Sequence, residues 1–369
     1  MKFISPGRIE IVGNHTDHNH GKVLVAAIGL ALTANVVKTD DNIAVVNSAG
    51  FAPARVETSD TTKIPAETGS PQGLVRGVAD GFIKGGFKIG GFRAEVSGDI
   101  PVGAGVSSSA AFELLIAQIF NEFYNGGAID SVTLARVARY SENVYMEKPC
   151  GLLDQMGIAL GGATYIDFAD ADKPRIESVA ANLDGYKTVV VNTGGDHSNM
   201  TPYYAAIKAE MQSVAAYFKK DYLAEISESA FYSQIPALRT VAGDRAVLRA
   251  AHFYAENSRV ERAFRALKTG SLPAFFHAVR TSGESSFQFL QNCCAPDRTD
   301  QSIPVALAIA GRVLKKGAYR VHGGGFAGTI LAFVHDSEFD AFIAAFAPVF
   351  GRRNVIVTTI RPDGAGMVK

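Results

Sequence analysis

Short apolar runs rich in β-branched residues fill the first third of the chain. "RIEIVG", "NIAVVNS" and "FRAEVSG" are separated by glycine, asparagine and aspartate turns, which predicts strands of a mixed sheet. "SSSAAFELLIAQIFNEFY" (107–124) then reads as a helix apolar on most of its circumference, hence buried between other elements. A second helix is predicted over "SVTLARVARYSENVYMEK" (131–148). It puts Leu134, Ala138, Ser141, Glu142 and Tyr145 on one stripe, so Glu142 turns inward. After "GGATYIDFAD" comes a strand, "YKTVVVNTG" (186–194), and long helical segments to about residue 290. The last part has a glycine cluster between β-rich runs, "YRVHGGGFAGTILAFV", then a helix, "EFDAFIAAFAPVFG", and a strand, "NVIVTTI". A domain change is expected near residue 184, giving units of 1–183 and 184–369.

Composition narrows the class. With 369 residues, 47% of them hydrophobic and 20% charged, the chain is long enough for two ordinary domains with substantial cores. The 36 basic residues balance the 36 acidic ones, and no basic run resembles a nucleic-acid or membrane footprint. Specificity must sit in local sites. Three cysteines, two of them adjacent at Cys293 and Cys294, give neither a disulfide framework nor a zinc spacing. The opening "MKFISPGR" lacks the apolar stretch of a leader, and "VLVAAIGLALTANVV" is too short for a bilayer. A cytoplasmic protein, monomeric or weakly self-associating, is expected.

Two stretches carry candidate chemistry. In "GDIPVGAGVSSSAAFE" (98–113), Pro101, Gly103 and Gly105 lead into Ser107, Ser108 and Ser109 at the start of the buried helix. Glycines permit tight turns and close approach, and a helix N-terminus offers unpaired N–H groups with the positive end of the dipole. That combination suits phosphate. It is not a Walker A loop, because no lysine follows the glycines. A serine N-cap would account for one serine but not three. The other stretch, "PGRIEIVGNHTDHNHG" (6–21), gathers His15, Asp17, His18 and His20 close together. A transition-metal site there is conceivable, since His18 and His20 would share one face of an extended chain. "HGGGF" is similar to an esterase oxyanion loop, but no Gly-x-Ser-x-Gly elbow exists in the chain, which excludes that hydrolase class.

The serine loop resembles the phosphate-binding motif of the GHMP kinases, the family of galactokinase and of homoserine, mevalonate and phosphomevalonate kinases. The opening stretch is similar to the sugar-binding signature of its galactokinase branch. "PCGLLDQMG" (149–157) and "HGGGFAGTI" (322–330) follow in the family's order, so the resemblance spans nearly the whole chain. It implies an α+β, two-domain GHMP kinase fold. The N-terminal domain would be a mixed sheet with helices, like ribosomal protein S5 domain 2, and the C-terminal domain α/β and ferredoxin-like.

It also implies ATP, magnesium and phosphorylation of a sugar at its anomeric hydroxyl, galactose or a close relative. Asp154 would be the catalytic carboxylate, with Arg8 beside it keeping it charged. Ser109 and Glu142 would hold Mg2+, the rival for Glu142 being an ion pair to Arg136 or Arg139. Asp17 would bind ring hydroxyls, His15 would support the pocket, Gly151 would line it, and Gly21 would turn the chain into the next strand. His18 and His20 fall where relatives vary and would be partly solvated. Galactokinases usually have glutamate where Asn14 stands, a position that contacts the C6 hydroxyl. Asparagine there implies tolerance of sugars altered at C6, such as galacturonate or L-arabinose. The family's histidine with a sugar-contacting tyrosine seven residues on corresponds to His197 and Tyr204, with Tyr203 an adjacent contender and Ile207 and Lys208 replacing an arginine pair. A sensor that binds sugar and ATP without turnover is the other functional class. Retention of Arg8, Ser109, Glu142 and Asp154 favours catalysis.

Overall fold

The computed structural model describes residues 1–101, 103–148, 150–194, 200–326 and 328–368. His197 lies outside them. The first half of the chain builds β1 (Lys2–Val12), β2 (Lys22–Lys38), β3 (Ile43–Ser48), β4 (Ala54–Glu57), α1 (Pro71–Lys84), β5 (Phe92–Gly98), α2 (Ser108–Asn125), α3 (Ser131–Tyr140), α4 (Leu153–Leu160), β6 (Ala163–Asp167) and β7 (Arg175–Val179). With a C-terminal strand, β12 (Gly366–Met367), these form a sheet in the order β12-β1-β2-β5-β3-β4, with β6 joining β2 and β7 joining β6. The long β2 serves two partners: Lys22–Ala26 pair with β6, and Leu32–Lys38 with β5. Only β3 and β5 run parallel among these pairings, which makes the sheet mixed, as its scattered strands suggested.

The second half contributes β8 (Tyr186–Asn192), α5 (Thr201–Tyr217), short helices α6 (Glu228–Ser233) and α7 (Ile235–Val241), the paired α8 (Asp244–Lys268) and α9 (Leu272–Ser285), α10 (Ser302–Val313), β9 (Ala318–Val321), β10 (Thr329–His335), α11 (Phe339–Phe350), β11 (Val355–Thr358) and β12 (Gly366–Met367). Here four antiparallel strands run in the order β11-β8-β10-β9. Alternation along these strands splits their side chains between two cores. Val190, Leu331 and Phe333 join a core shared with the large sheet and with α8 and α9. Val189, Val191, Ile330 and Ala332 pack instead beneath α10 and α11. After β11 the chain returns to the large sheet, where β12 covers the outer edge of β1. Among the described residues no helix is long and apolar enough to cross a membrane.

α2 is buried on most of its surface, from Ala110 to Asn121, against β1, β2 and the helices α1, α3 and α4. The helix expected to run through 131–148 does not stay regular. It is α-helical to Tyr140, then widens into a π-helical turn over Ser141–Tyr145. The inward stripe survives this change, with Leu134, Ala138, Ser141, Glu142 and Tyr145 all buried.

Candidate active site

β1, the loop before α2, the start of α4 and the glycine turn between β9 and β10 converge on one cluster. Arg8 on β1 is 5% exposed. Its guanidinium grips Asp154 in the first turn of α4 with two hydrogen bonds, Nε to Oδ1 at 2.7 Å and Nη2 to Oδ2 at 2.8 Å. The third arm, Nη1, donates to the Gly105 carbonyl at 2.6 Å. Burial pushes the Asp154 carboxyl up, but the Arg8 charge, its two hydrogen bonds and the Ser107 hydroxyl outweigh it and hold the group below the usual aspartate range. A planar fork against a carboxylate is the geometry arginine satisfies best.

The loop expected to bind phosphate lies beside this pair. A Pro101–Ala104 turn is closed by a backbone hydrogen bond, and Gly103 (φ 75°) and Gly105 (φ 71°) occupy left-handed conformations that favour glycine. At Gly105 a side chain would also strike the Thr329 hydroxyl, 2.4 Å from an added Cβ. Ser107 takes the N-cap position of α2 and Ser108 its first residue, yet Ser107 makes no side-chain cap. Its hydroxyl donates to Asp154 Oδ2 at 2.5 Å. The first N–H groups of α2 thus open beside Arg8 and Asp154, as anion binding requires.

Ser109 and Glu142 are brought together across α2 and the π turn: Ser109 Oγ donates to Glu142 Oε1 at 3.0 Å. Lys148 Nζ lies 2.6 Å from the same oxygen, and Gln155 Nε2 donates to Oε2 at 3.1 Å. Glu142 therefore pairs with Lys148 and not with Arg136 or Arg139. Ser109 and Glu142 offer two hard oxygens, the donor type of a Mg2+ site that is completed by phosphates, with the Lys148 ammonium paired to the same Glu142 oxygen.

The residues expected to bind the sugar, Asp17, His15, Gly151 and Tyr204, lie around the start of α4 and the glycine turn. Asp17 Oδ2 accepts from Leu153 N at 3.2 Å and Oδ1 from His18 N at 2.9 Å. Gly151 touches this carboxylate so closely that an added Cβ would lie 1.7 Å from Oδ2. Burial and the neighbouring Asp154 raise the Asp17 pKa, with the Leu153 and His18 N–H groups opposing them. His15 reaches the glycine turn, its Nε2 3.0 Å from the Gly324 carbonyl. Tyr204 on α5 lies against Gly324 and donates to the Gly325 carbonyl at 3.1 Å. Tyr203 points elsewhere, to Asp297.

Asn14 departs from expectation. It is 0% exposed and both ends of its amide are used by the protein. Nδ2 donates to Glu10 at 3.0 Å and to the Gly323 carbonyl at 2.7 Å, while Oδ1 accepts from Asn292 at 2.8 Å. With Ser286 also donating to Oδ1, at 3.3 Å, every donor and acceptor of the amide has a protein partner, an arrangement that favours a structural role over the C6 contact expected of Asn14. Three further buried charges missed in the sequence, Glu10, Arg320 and Glu256, stand around it. Arg320 pairs with Glu10 at 2.8 Å, and Glu256 accepts from the Gly13 and Asn14 N–H groups and from Ser282. A charge at Glu10, two residues from Arg8 on the same face of an otherwise apolar strand, was the available signal.

Nor do the histidines form a metal centre: among the described residues no three His, Cys, Asp or Glu side chains are grouped to hold a metal ion. His20 (φ 61°) takes the left-handed turn attributed to Gly21 and stacks on Tyr222. Gly21 is needed for closeness, since a Cβ there would meet Thr16, Asn257 and Phe253 within 2.8 Å.

Known proteins bear on this geometry. The galactokinase galactose-binding signature matches residues 2–38 and the GHMP kinase N-terminal domain residues 73–162. A galactokinase of Clostridium tetani is 30% identical over 92% of this chain and 85% of its own length. One from Streptomyces coelicolor is 30% identical over 94% and 88%. The crystal structure of Lactococcus lactis galactokinase complexed with galactose superposes with a TM-score of 0.86 at 25% identity, covering 100% of this chain and 95% of that one. Likeness of this extent, with the sugar signature and the kinase domain in their proper order, means that the chain belongs to the galactokinase family of GHMP kinases.

Proposed function

We propose that the protein transfers the γ-phosphoryl group of ATP to the C1 hydroxyl of galactose, with Asp154, Arg8 and Ser107 at the point of transfer. The observation that carries this reading is the bidentate Arg8–Asp154 pair beside the N-terminus of α2. Asp154, kept ionised, accepts the C1 hydroxyl proton as the oxygen attacks phosphorus, while Arg8 offsets the charge developing there. The loop from Pro101 through Gly103 and Gly105 to Ser107, Ser108 and Ser109 cradles the phosphates. Asp17 and His15 orient the sugar, with Gly151 and Tyr204 closing its walls. Ser109 and Glu142 would hold Mg2+, which when bound neutralises phosphate charge. Free thiols at Cys150, Cys293 and Cys294 fit a reducing cytoplasm, and a monomer or weak homo-oligomer is proposed.

The test is product analysis by phosphorus NMR after incubation with ATP, Mg2+ and a panel of galactose, galacturonate and L-arabinose. An anomeric phosphate on galactose is expected. ATP and sugar binding with no product would identify a sensor instead.

A further inference from the structure

His18 has no task in the reading above, yet it stands in the middle of a directed chain of hydrogen bonds. The Leu223 N–H donates to Asn19 Oδ1 at 3.4 Å. That orients the Asn19 amide so that Nδ2 faces His18 Nδ1 at 2.9 Å. His18 Nε2 lies 3.3 Å from His15 Nδ1, and His15 Nε2 lies 3.0 Å from the Gly324 carbonyl.

The direction of every link follows from the chemistry of its ends. A carbonyl oxygen only accepts, so His15 carries its proton on Nε2. A neutral imidazole has one N–H, which leaves His15 Nδ1 as a lone pair. His18 must then bear its proton on Nε2, and its own Nδ1 accepts from Asn19. Reversing either ring would set lone pair against lone pair, and protonating His18 would set its N–H against the Asn19 amide hydrogens.

The surroundings favour two neutral rings. Burial pushes the His15 pKa down to about 4, and the positive charges of Arg249 and Arg320 act in the same direction against the hydrogen bond to Gly324. His18 is lowered too, first by burial and then by His15 and Lys208. At the far end, the Gly324 carbonyl takes a second hydrogen bond from Asn292 Nδ2 at 3.1 Å. The same glycine lies against the Tyr204 ring, and Gly323 comes within 3.9 Å of the Arg8 guanidinium, measured from an added Cβ.

We infer that His18 is a positioning residue: its Nε2–H, donated to His15 Nδ1, holds in place the ring whose Nε2–H the Gly324 carbonyl selects, and thereby fixes the glycine turn beside Tyr204 and Arg8. The consequence for sugar binding rests on the kinase reading proposed above; the tautomer does not.

The experiment combines side-chain nitrogen NMR of the full-length protein labelled at histidine with steady-state kinetics of His18→Leu and His18→Gln. Glutamine has both a donor and an acceptor and can replace the imidazole in the chain, whereas leucine has neither. In the native protein His15 should be neutral at neutral pH with its proton on Nε2. In His18→Leu the His15 Nδ1 resonance should move to that of an imidazole nitrogen accepting no hydrogen bond, and the KM for galactose should rise about tenfold, the scale of one hydrogen bond, with the KM for ATP little changed. His18→Gln should recover most of that loss. A native His15 carrying its proton on Nδ1 overturns the inference, whether or not the leucine variant folds. So does a leucine variant with an unchanged His15 Nδ1 resonance and galactose KM, or a glutamine variant as impaired as leucine. If the native protein phosphorylates no sugar, the kinase reading falls while the NMR result still decides the histidine chain.

Discussion

Ser107 gives its hydroxyl hydrogen to Asp154 rather than to the helix it precedes. With φ 62° and ψ 56° it sits in the left-handed region, and its side chain makes no cap on α2. Removing a true serine cap costs roughly 1 kcal/mol of stability. Ser107→Ala should lose clearly less than that in thermal unfolding while lowering kcat and moving the acid limb of its pH profile upward, because Asp154 loses a donor. A full cap-sized loss with unchanged kcat would assign Ser107 to the helix.

Asp154→Asn keeps shape and removes the proton acceptor, so kcat should fall by about 10²-fold or more. Arg8→Met tests the electrostatics. In the folded protein Asp154 titrates below its ordinary range, so the benefit of the pair is present above the unfolded value and is lost as pH falls through the folded one. Without Arg8, burial is opposed only by Ser107 and the more distant Lys148, and the acid limb of kcat should move toward neutrality. A limb that stays in place would show that Asp154 is not the group being titrated.

Gly151→Ala should act on the sugar alone. The new methyl would coincide with Asp17 Oδ2, and the carboxylate is held there by the Leu153 and His18 N–H groups. The KM for galactose should rise about tenfold or more through loss of a charged hydrogen-bond acceptor, with the KM for ATP steady. Equal changes in both constants would point to a general disturbance of α4.

Asn14→Asp replaces an amide that donates to Glu10 and Gly323 with a carboxylate facing the same acceptors. Uncompensated buried charge of this kind costs about 3–5 kcal/mol, which urea unfolding would report as a lower midpoint. A stable variant with an altered ratio of kcat/KM for galactose and L-arabinose would restore Asn14 to the sugar pocket.

Glu142→Gln should raise the Mg2+ and ATP concentrations needed for half-maximal rate while galactose affinity measured by calorimetry stays near native. The carboxylate faces Ser109 and Lys148, not Asp17. Equal loss of sugar and nucleotide binding would make the residue a general support of the π turn.

What could be read from the sequence was what local pattern encodes. The β-branched runs, the apolar α2 and the glycine turn follow from composition within a dozen residues of each position. The inward turn of Glu142 was legible because the i, i+4 and i+7 spacing survives the widening of the helix at Ser141. The widening itself was not, since a π turn depends on packing around it rather than on propensity. Arg8 and Asp154, 146 positions apart, came together through resemblance to a family. The fate of Asn14 was hidden for the opposite reason. Its partners Glu10, Asn292 and Gly323 include residues almost 310 positions away, and nothing in "VGNHTD" says that its amide is already engaged.

A single guanidinium holds both the proton acceptor and the loop proposed to take the phosphates, through Asp154 and the Gly105 carbonyl. A displacement of that loop by a nucleotide would pass through Arg8 to the carboxylate proposed to face the sugar. Binding of the two substrates is thermodynamically linked: by whatever factor ATP changes galactose affinity, galactose changes ATP affinity by the same factor. Arg8 is the side chain proposed to carry that exchange, and its removal should make the two ligands bind as strangers.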